Sequence, residues 1–183
     1  MKPSNMLLKD DEVLIADFSS SLDWSERDND MDEGPHPWTH RYAAPEVLGN
    51  NERDSSSDIW SLGCVYLEMW TVLRGGRISD LKEDMAFRTE HSVMRCYAST
   101  GFHLEAWIAR MEALPGPRSD NLPSEWIRKM LQHDRKQRPT AHALLSMIQE
   151  ASAELDAEHM FIGQCCLHGS KETERTVPST AEA

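Results

Sequence analysis

The sequence predicts a mainly helical domain with a small strand hairpin at one edge. Two short apolar runs open the chain, Met6-Leu7-Leu8 and Val13-Leu14-Ile15-Ala16, with Lys9, Asp10, Asp11 and Glu12 between them. Residues 56–72 (SSDIWSLGCVYLEMWTV) then form the most apolar segment. After it, apolar positions recur at helical spacing.

The two opening runs read as strands joined by a polar turn. Residues 19–38 are polar, acidic and proline-containing, with Asp28, Asp30, Asp32 and Glu33 close together. They read as a loop, and the Ser/Asp/Glu cluster at 20–33 as either regulatory or simply solvated. In the segment 56–72, Ser57 or Asp58 is the expected helix cap, and apolar residues then surround the axis. A helix hydrophobic on most sides is a buried one, so this segment is the expected spine of the domain. Arg74-Gly75-Gly76 ends it. Further helices are expected at roughly 79–98, 103–113, 124–132 and 140–153. Asp120, Asn121 and Pro123 mark the start of the third, and Leu144, Leu145, Met147 and Ile148 keep helical spacing in the last. Residues 163–183 carry few large apolar groups, so a disordered tail is expected over 154–183.

Bulk properties narrow the function classes. The 183 residues suffice for one domain with a sizeable core, and 39% hydrophobic with 27% charged residues suits a soluble globular chain. A net charge of −12 argues against nucleic-acid binding, which needs a basic face. Cys64, Cys96, Cys165 and Cys166 show neither zinc spacing nor a disulfide framework. A reducing setting is the default, and the N-terminal residues lack a secretory leader. No membrane span is expected, and the expected location is cytoplasmic or nuclear. The histidines (36, 40, 91, 103, 133, 142, 159 and 168) form no metal spacing. The six tryptophans read as core and loop contacts.

Five strings carry chemistry together: Lys2-Pro3-Ser4-Asn5, Asp17-Phe18-Ser19, Thr39-His40-Arg41-Tyr42-Ala43-Ala44-Pro45-Glu46, Asp58-Ile59-Trp60-Ser61-Leu62-Gly63 and Arg138-Pro139-Thr140. Each alone is weak. In this order and spacing they make residues 1–153 resemble the C-terminal lobe of the eukaryotic protein kinase family, of Ser/Thr type. The segment 101–122 resembles fungal kinase-like sequences in style.

The resemblance implies a role for each matching residue. Lys2 resembles the lysine that contacts the transferred phosphoryl group, where a cation offsets transition-state charge. Asn5 and Asp17 resemble the ligands of magnesium, a hard cation that takes one or two protein oxygens beside the phosphates of ATP. Taken singly, Asn5 also reads as a turn residue and Asp17 as a loop cap. Thr39 resembles the threonine bonded to the catalytic aspartate and lysine, and it favours a Ser/Thr substrate. By itself it is a loop hydroxyl. Glu46 and Arg138 resemble a buried ion pair that ties the loop to the helical core. Asp58 resembles the helix-start aspartate that holds the catalytic-loop backbone, a role compatible with an N-cap. Tyr42 is expected to pack beneath the substrate loop. Ser19 departs from the glycine usual in the family, and serine narrows the backbone conformations open to that loop.

Met1 stands directly after the position of the family's catalytic aspartate, which is the proton acceptor. The 183 residues also include no N-terminal lobe: no glycine-rich loop, strand lysine or partner glutamate. Negligible phosphotransfer by these residues alone is therefore expected. Three readings stand: a Ser/Thr kinase seen in part, a pseudokinase-like interaction module acting on a partner protein, and an unstable remnant. The surface that faces an N-terminal lobe would be exposed, and such a patch promotes association.

Overall fold

A computed structural model of the chain describes residues 1–10, 12–16, 40–49, 53–88, 93–99, 101–155 and 161. The loop expected at 19–38 and almost all of the tail expected over 154–183 lie outside the described residues.

The opening runs form strands β1 (Met6–Lys9) and β2 (Glu12–Ile15), paired antiparallel from Met6 opposite Ile15 to Lys9 opposite Glu12. Asp10, in the two-residue turn, takes a left-handed φ of 49°. Aspartate tolerates that region better than most residues, and such angles suit a turn joining twisted strands.

A short helix α1 (Pro45–Leu48) starts on the proline that fits a first helical position. The spine is α2 (Ser55–Leu73), and its cap differs from the expected one. Neither Ser57 nor Asp58 caps it: the side chain of Asp54 accepts from the backbone of Ser56 at 2.9 Å and Ser57 at 3.3 Å. Ser57 Oγ receives the Asp54 N–H at 3.4 Å, which closes a reciprocal box. At the other end, Gly75 N–H bonds Val72 O and Gly76 N–H bonds Thr71 O, with Gly75 at φ +80°. That is a Schellman ending, and the left-handed residue is glycine for want of a Cβ clash.

Four segments pack around the spine: α3 (Ile78–Asp84), α4 (Gly101–Glu112), α5 (Leu122–Met130) and α6 (Ala141–Ala153). The helix expected over 79–98 is a correction. α3 ends at Asp84, and β3 (Ala86–Arg88) pairs antiparallel with β4 (Val93–Arg95) in a second hairpin. Phenylalanine and valine on a pleated surface favour the strand, and the pairing satisfies backbone groups that a longer helix would have used. α5 begins and ends two residues before the expected 124–132.

α5 is the main partner of α2, and Gly63 sets their approach. A Cβ built there would lie 2.8 Å from Met130 Cβ and 3.0 Å from Leu131 Cδ2. The core lies around this seam, with Trp60, Leu67, Trp107, Ile108, Ile127 and Met130 almost fully buried. Buried indole nitrogens are tied down at both flanks: Trp107 Nε1 donates to Thr71 Oγ1 at 3.0 Å, and Trp70 Nε1 to Asp120 O at 2.6 Å. Arg74, at the end of α2, donates to Met111 O, Leu114 O and Asp120 Oδ2, fixing the segment between α4 and α5. Beyond α6, Phe161 stands edge-on to Trp126 with centroids 5.1 Å apart. Among the described residues no helix is long and apolar enough to cross a membrane.

Candidate functional site

The first string starts extended and then tightens. Lys2 sits at φ −158° and ψ 158°, and Pro3 opens a 3-10 turn over Pro3–Asn5. Asn5 N–H closes that turn on Lys2 O at 3.0 Å. Its own carbonyl accepts the Ala16 N–H at 2.7 Å, so the end of β2 is fastened to Asn5. The Asn5 side-chain oxygen is half-exposed, with Ser4 Oγ 3.5 Å away. Asp17 and Thr39 lie outside the described residues. Of the expected magnesium ligands, Asn5 alone is described, with an amide oxygen suited to a hard cation. Among the described residues there is no group of three or more His, Cys, Asp and Glu side chains that could hold a metal ion.

Asp58 lies on the first turn of α2, where Arg53 Nη2 bonds its Oδ1 at 2.9 Å. The backbone nitrogen of Met1 is 3.9 Å from the same oxygen. The start of the spine and the start of the first string are therefore neighbours.

Glu46 and Arg138 anchor the segment that ends the loop. The guanidinium grips the carboxylate on both arms, at 2.7 Å and 2.8 Å. Its three remaining N–H groups go to Gln132 O, Ser56 O and His133 O. All five donors of a fully buried arginine are thus used, the condition under which such a cation is tolerable inside a protein. Ser57 Oγ adds a bond to Glu46 Oε1 at 2.9 Å. Burial opposes the charged carboxyl, but the bonds from Arg138, the local backbone and Ser57 outweigh it, and the Glu46 pKa falls below its ordinary value. Arg138 also stands over the Trp60 ring at 5.0 Å. His133 meets that ring edge-on, and the Trp60 indole N–H is buried without a partner.

Glu68 is a site residue that the sequence reading passed over. Its Oε1 accepts from Tyr42 at 3.0 Å and Tyr97 at 2.7 Å, deep in the core. The signal was available: an acid between Leu67 and Met69 in a helix apolar on most sides must find donors. Burial, then the Glu68 carboxylate, push both phenols well above the ordinary value. Tyr42 also offers its carbonyl to Ser61 Oγ at 3.0 Å. The segment 40–48 is thereby held to α2 at three points: Tyr42 to Glu68, Tyr42 to Ser61, and Glu46 to Ser57.

Known proteins share these features. Over 79 residues the chain is 37% identical to a probable cyclin-dependent kinase 9 of Caenorhabditis elegans, covering 39% of this chain and 16% of that protein. It is 38% identical over 79 residues to the dual specificity protein kinase zak2 of Dictyostelium discoideum, covering 38% and 12%. Over 113 residues it is 33% identical to eukaryotic translation initiation factor 2-alpha kinase 1 of Rattus norvegicus, covering 48% and 18%. The chain spans between 12% and 18% of the length of these curated relatives. The model of the protein kinase domain matches residues 1–148. The chain therefore belongs to the protein kinase domain family.

Proposed function

We propose that these residues form the magnesium-facing and substrate-facing part of a protein kinase that transfers phosphate from ATP to Ser or Thr in proteins, within the cytoplasm or nucleus. The kinase part is residues 1–153, followed by a tail over 154–183. The observation that carries the reading is the 2.7 Å bond from Ala16 N–H to Asn5 O. It fastens the strand leading to Asp17 onto the string that holds Lys2 and Asn5, in a chain of this family.

In this reading Asn5 and Asp17 hold magnesium against the phosphates. When bound, the ion draws charge from the phosphate oxygens. Lys2 places a cation toward the transferred group, and Thr39 orients the acceptor side. Asp58 supports the backbone at Met1, while Glu46 and Arg138 hold the substrate-side segment to the core. The 183 residues on their own do not transfer phosphate, because no residue among them stands at the position of the proton-accepting aspartate.

A second reading, a pseudokinase-like module that binds a partner protein, draws on the first hairpin. Leu8 is 83% exposed and Val13 61% exposed, an apolar face suited to association. Ser19, in place of the usual glycine, favours it too.

The transcript of the native gene separates the two. The kinase reading expects codons for a His-Arg-Asp string in frame before Met1, with magnesium-dependent phosphotransfer by the product that collapses in Asp17→Ala. An in-frame stop codon directly upstream sinks the kinase reading and leaves the binding module.

A further inference from the structure

Beside the segment that ends the loop, a shallow depression is lined by Arg41, Lys82, Met85, Cys96 and Tyr97. Its floor is apolar: Met85, Cys96 and Tyr97 are each about 2% exposed or less. Its rim is cationic, with Arg41 and Lys82 both half-exposed. In a chain of net charge −12, two cations at one depression are unexpected. Among the described residues neither has an ion-pair partner. The acids on α3 are engaged elsewhere or face solvent: Asp80 accepts from Ser79 at 3.0 Å, Asp84 lies 3.9 Å from Arg110, and Glu83 is exposed.

We infer that Arg41 and Lys82 form a subsite that takes an acidic side chain of the protein substrate. The inference rests on the kinase reading above and names the substrate class for it. Two cations over a low-dielectric floor attract a carboxylate more strongly than they would in open water. The location fits a substrate contact. Arg41 follows Thr39 by two residues, and two residues of chain span at most ~7 Å. A subsite at Arg41 therefore lies within a few residues of a hydroxyl held at Thr39. Tyr42, the next residue, is bonded to Glu68, so the backbone that carries Arg41 is fixed to the spine.

Fluorescence anisotropy on the full chain tests this with two labelled serine peptides of equal length, one carrying glutamates beside the serine and one carrying lysines. At physiological salt the Debye length is ~8 Å, which screens the overall negative charge and leaves the local pair to decide. The wild type is expected to bind the acidic peptide about tenfold more tightly than the basic one. The double variant R41E/K82E reverses that order, and R41Q/K82Q, which keeps the side-chain bulk, abolishes the preference. An unchanged preference in both variants, each folded by circular dichroism, overturns the assignment. So does a wild type that binds neither peptide but gains the acidic one when Asp28, Asp30, Asp32 and Glu33 are replaced by their amides, since the anion is then the chain's own. Because the readout is binding, it fails separately from the kinase reading, which falls on the absence of phosphotransfer.

Discussion

Glu46 and Arg138 stand 92 positions apart and meet fork to fork, each carboxylate oxygen on its own guanidinium nitrogen at 2.7 Å and 2.8 Å. The pair closes the segment 40–48 onto the turn before α6, inside a layer roofed by Trp60. Two charges have left water here, so breaking the pair costs more than the pair itself contributes.

Replacing Arg138 by methionine leaves Glu46 charged, nearly buried and unpaired. The expected loss is ~3–5 kcal/mol in urea unfolding. The double variant E46L/R138M should lose clearly less than the sum of E46L and R138M, because neither charge is then stranded. An R138M loss below ~1 kcal/mol would show that the Glu46 carboxylate finds water in the folded chain.

Gly63 sets a contest between two terms. Alanine there gains ~1 kcal/mol of helix propensity over glycine. Its Cβ also arrives 2.8 Å from Met130 Cβ, an atom fixed to the α5 backbone and unable to swing away. Overpacking of this kind costs typically ~1–3 kcal/mol, so Gly63→Ala should lower the unfolding midpoint. A raised midpoint would mean that α2 and α5 separate at no cost.

Stability should fall at both ends of the pH scale. Glu46, against the opposing effect of burial, and Glu112, chiefly through its bond from Arg128, both have pKa values below the ordinary 4.5. Their contribution is present above that value and is lost as pH falls through the folded-state pKa values. Tyr42, Tyr66 and Tyr97 are all raised above the ordinary 10.0, first by burial. Their contribution is full below pH ~10 and is lost as the unfolded chain ionises its phenols above it. Ultraviolet titration checks the alkaline limb: phenolate absorbance should rise together with loss of helix signal. A tyrosine that titrates near its free value in the folded chain would contradict the burial of these rings. The variant E46Q should flatten part of the acid limb.

Physical reasons separate the legible parts of this fold from the rest. The spine was readable because seventeen residues in a row, 56–72, carry almost no break in apolar character. Its cap was not, because Asp54, Ser55, Ser56, Ser57 and Asp58 are all cap-competent and only three-dimensional geometry chooses among them. The end of α3 was hidden since Ile78, Leu81 and Met85 keep helical spacing up to the first residue of β3. Strand pairing between 86–88 and 93–95 is a relation between segments, which local periodicity does not contain. Glu46 and Arg138 were paired by family resemblance, as no spacing rule reaches across 92 positions. Arg41 and Lys82 share a depression because the turn at 40–42 and α3 fold against the same buried residues, a fact absent from either string alone.

The first hairpin sets a limit on how firmly Asn5 is held. Leu7, Leu8, Val13, Leu14 and Ile15 are each between 41% and 83% exposed. A two-stranded ribbon that buries so little is marginal by itself. Its amides exchange with solvent through local opening, while those of α2 wait for global unfolding. The bond between Ala16 and Asn5 opens with the ribbon. Whatever covers those leucines and valines therefore also tunes the order of the asparagine, so that affinity for a metal–nucleotide complex becomes a property of the cover as much as of the ligands.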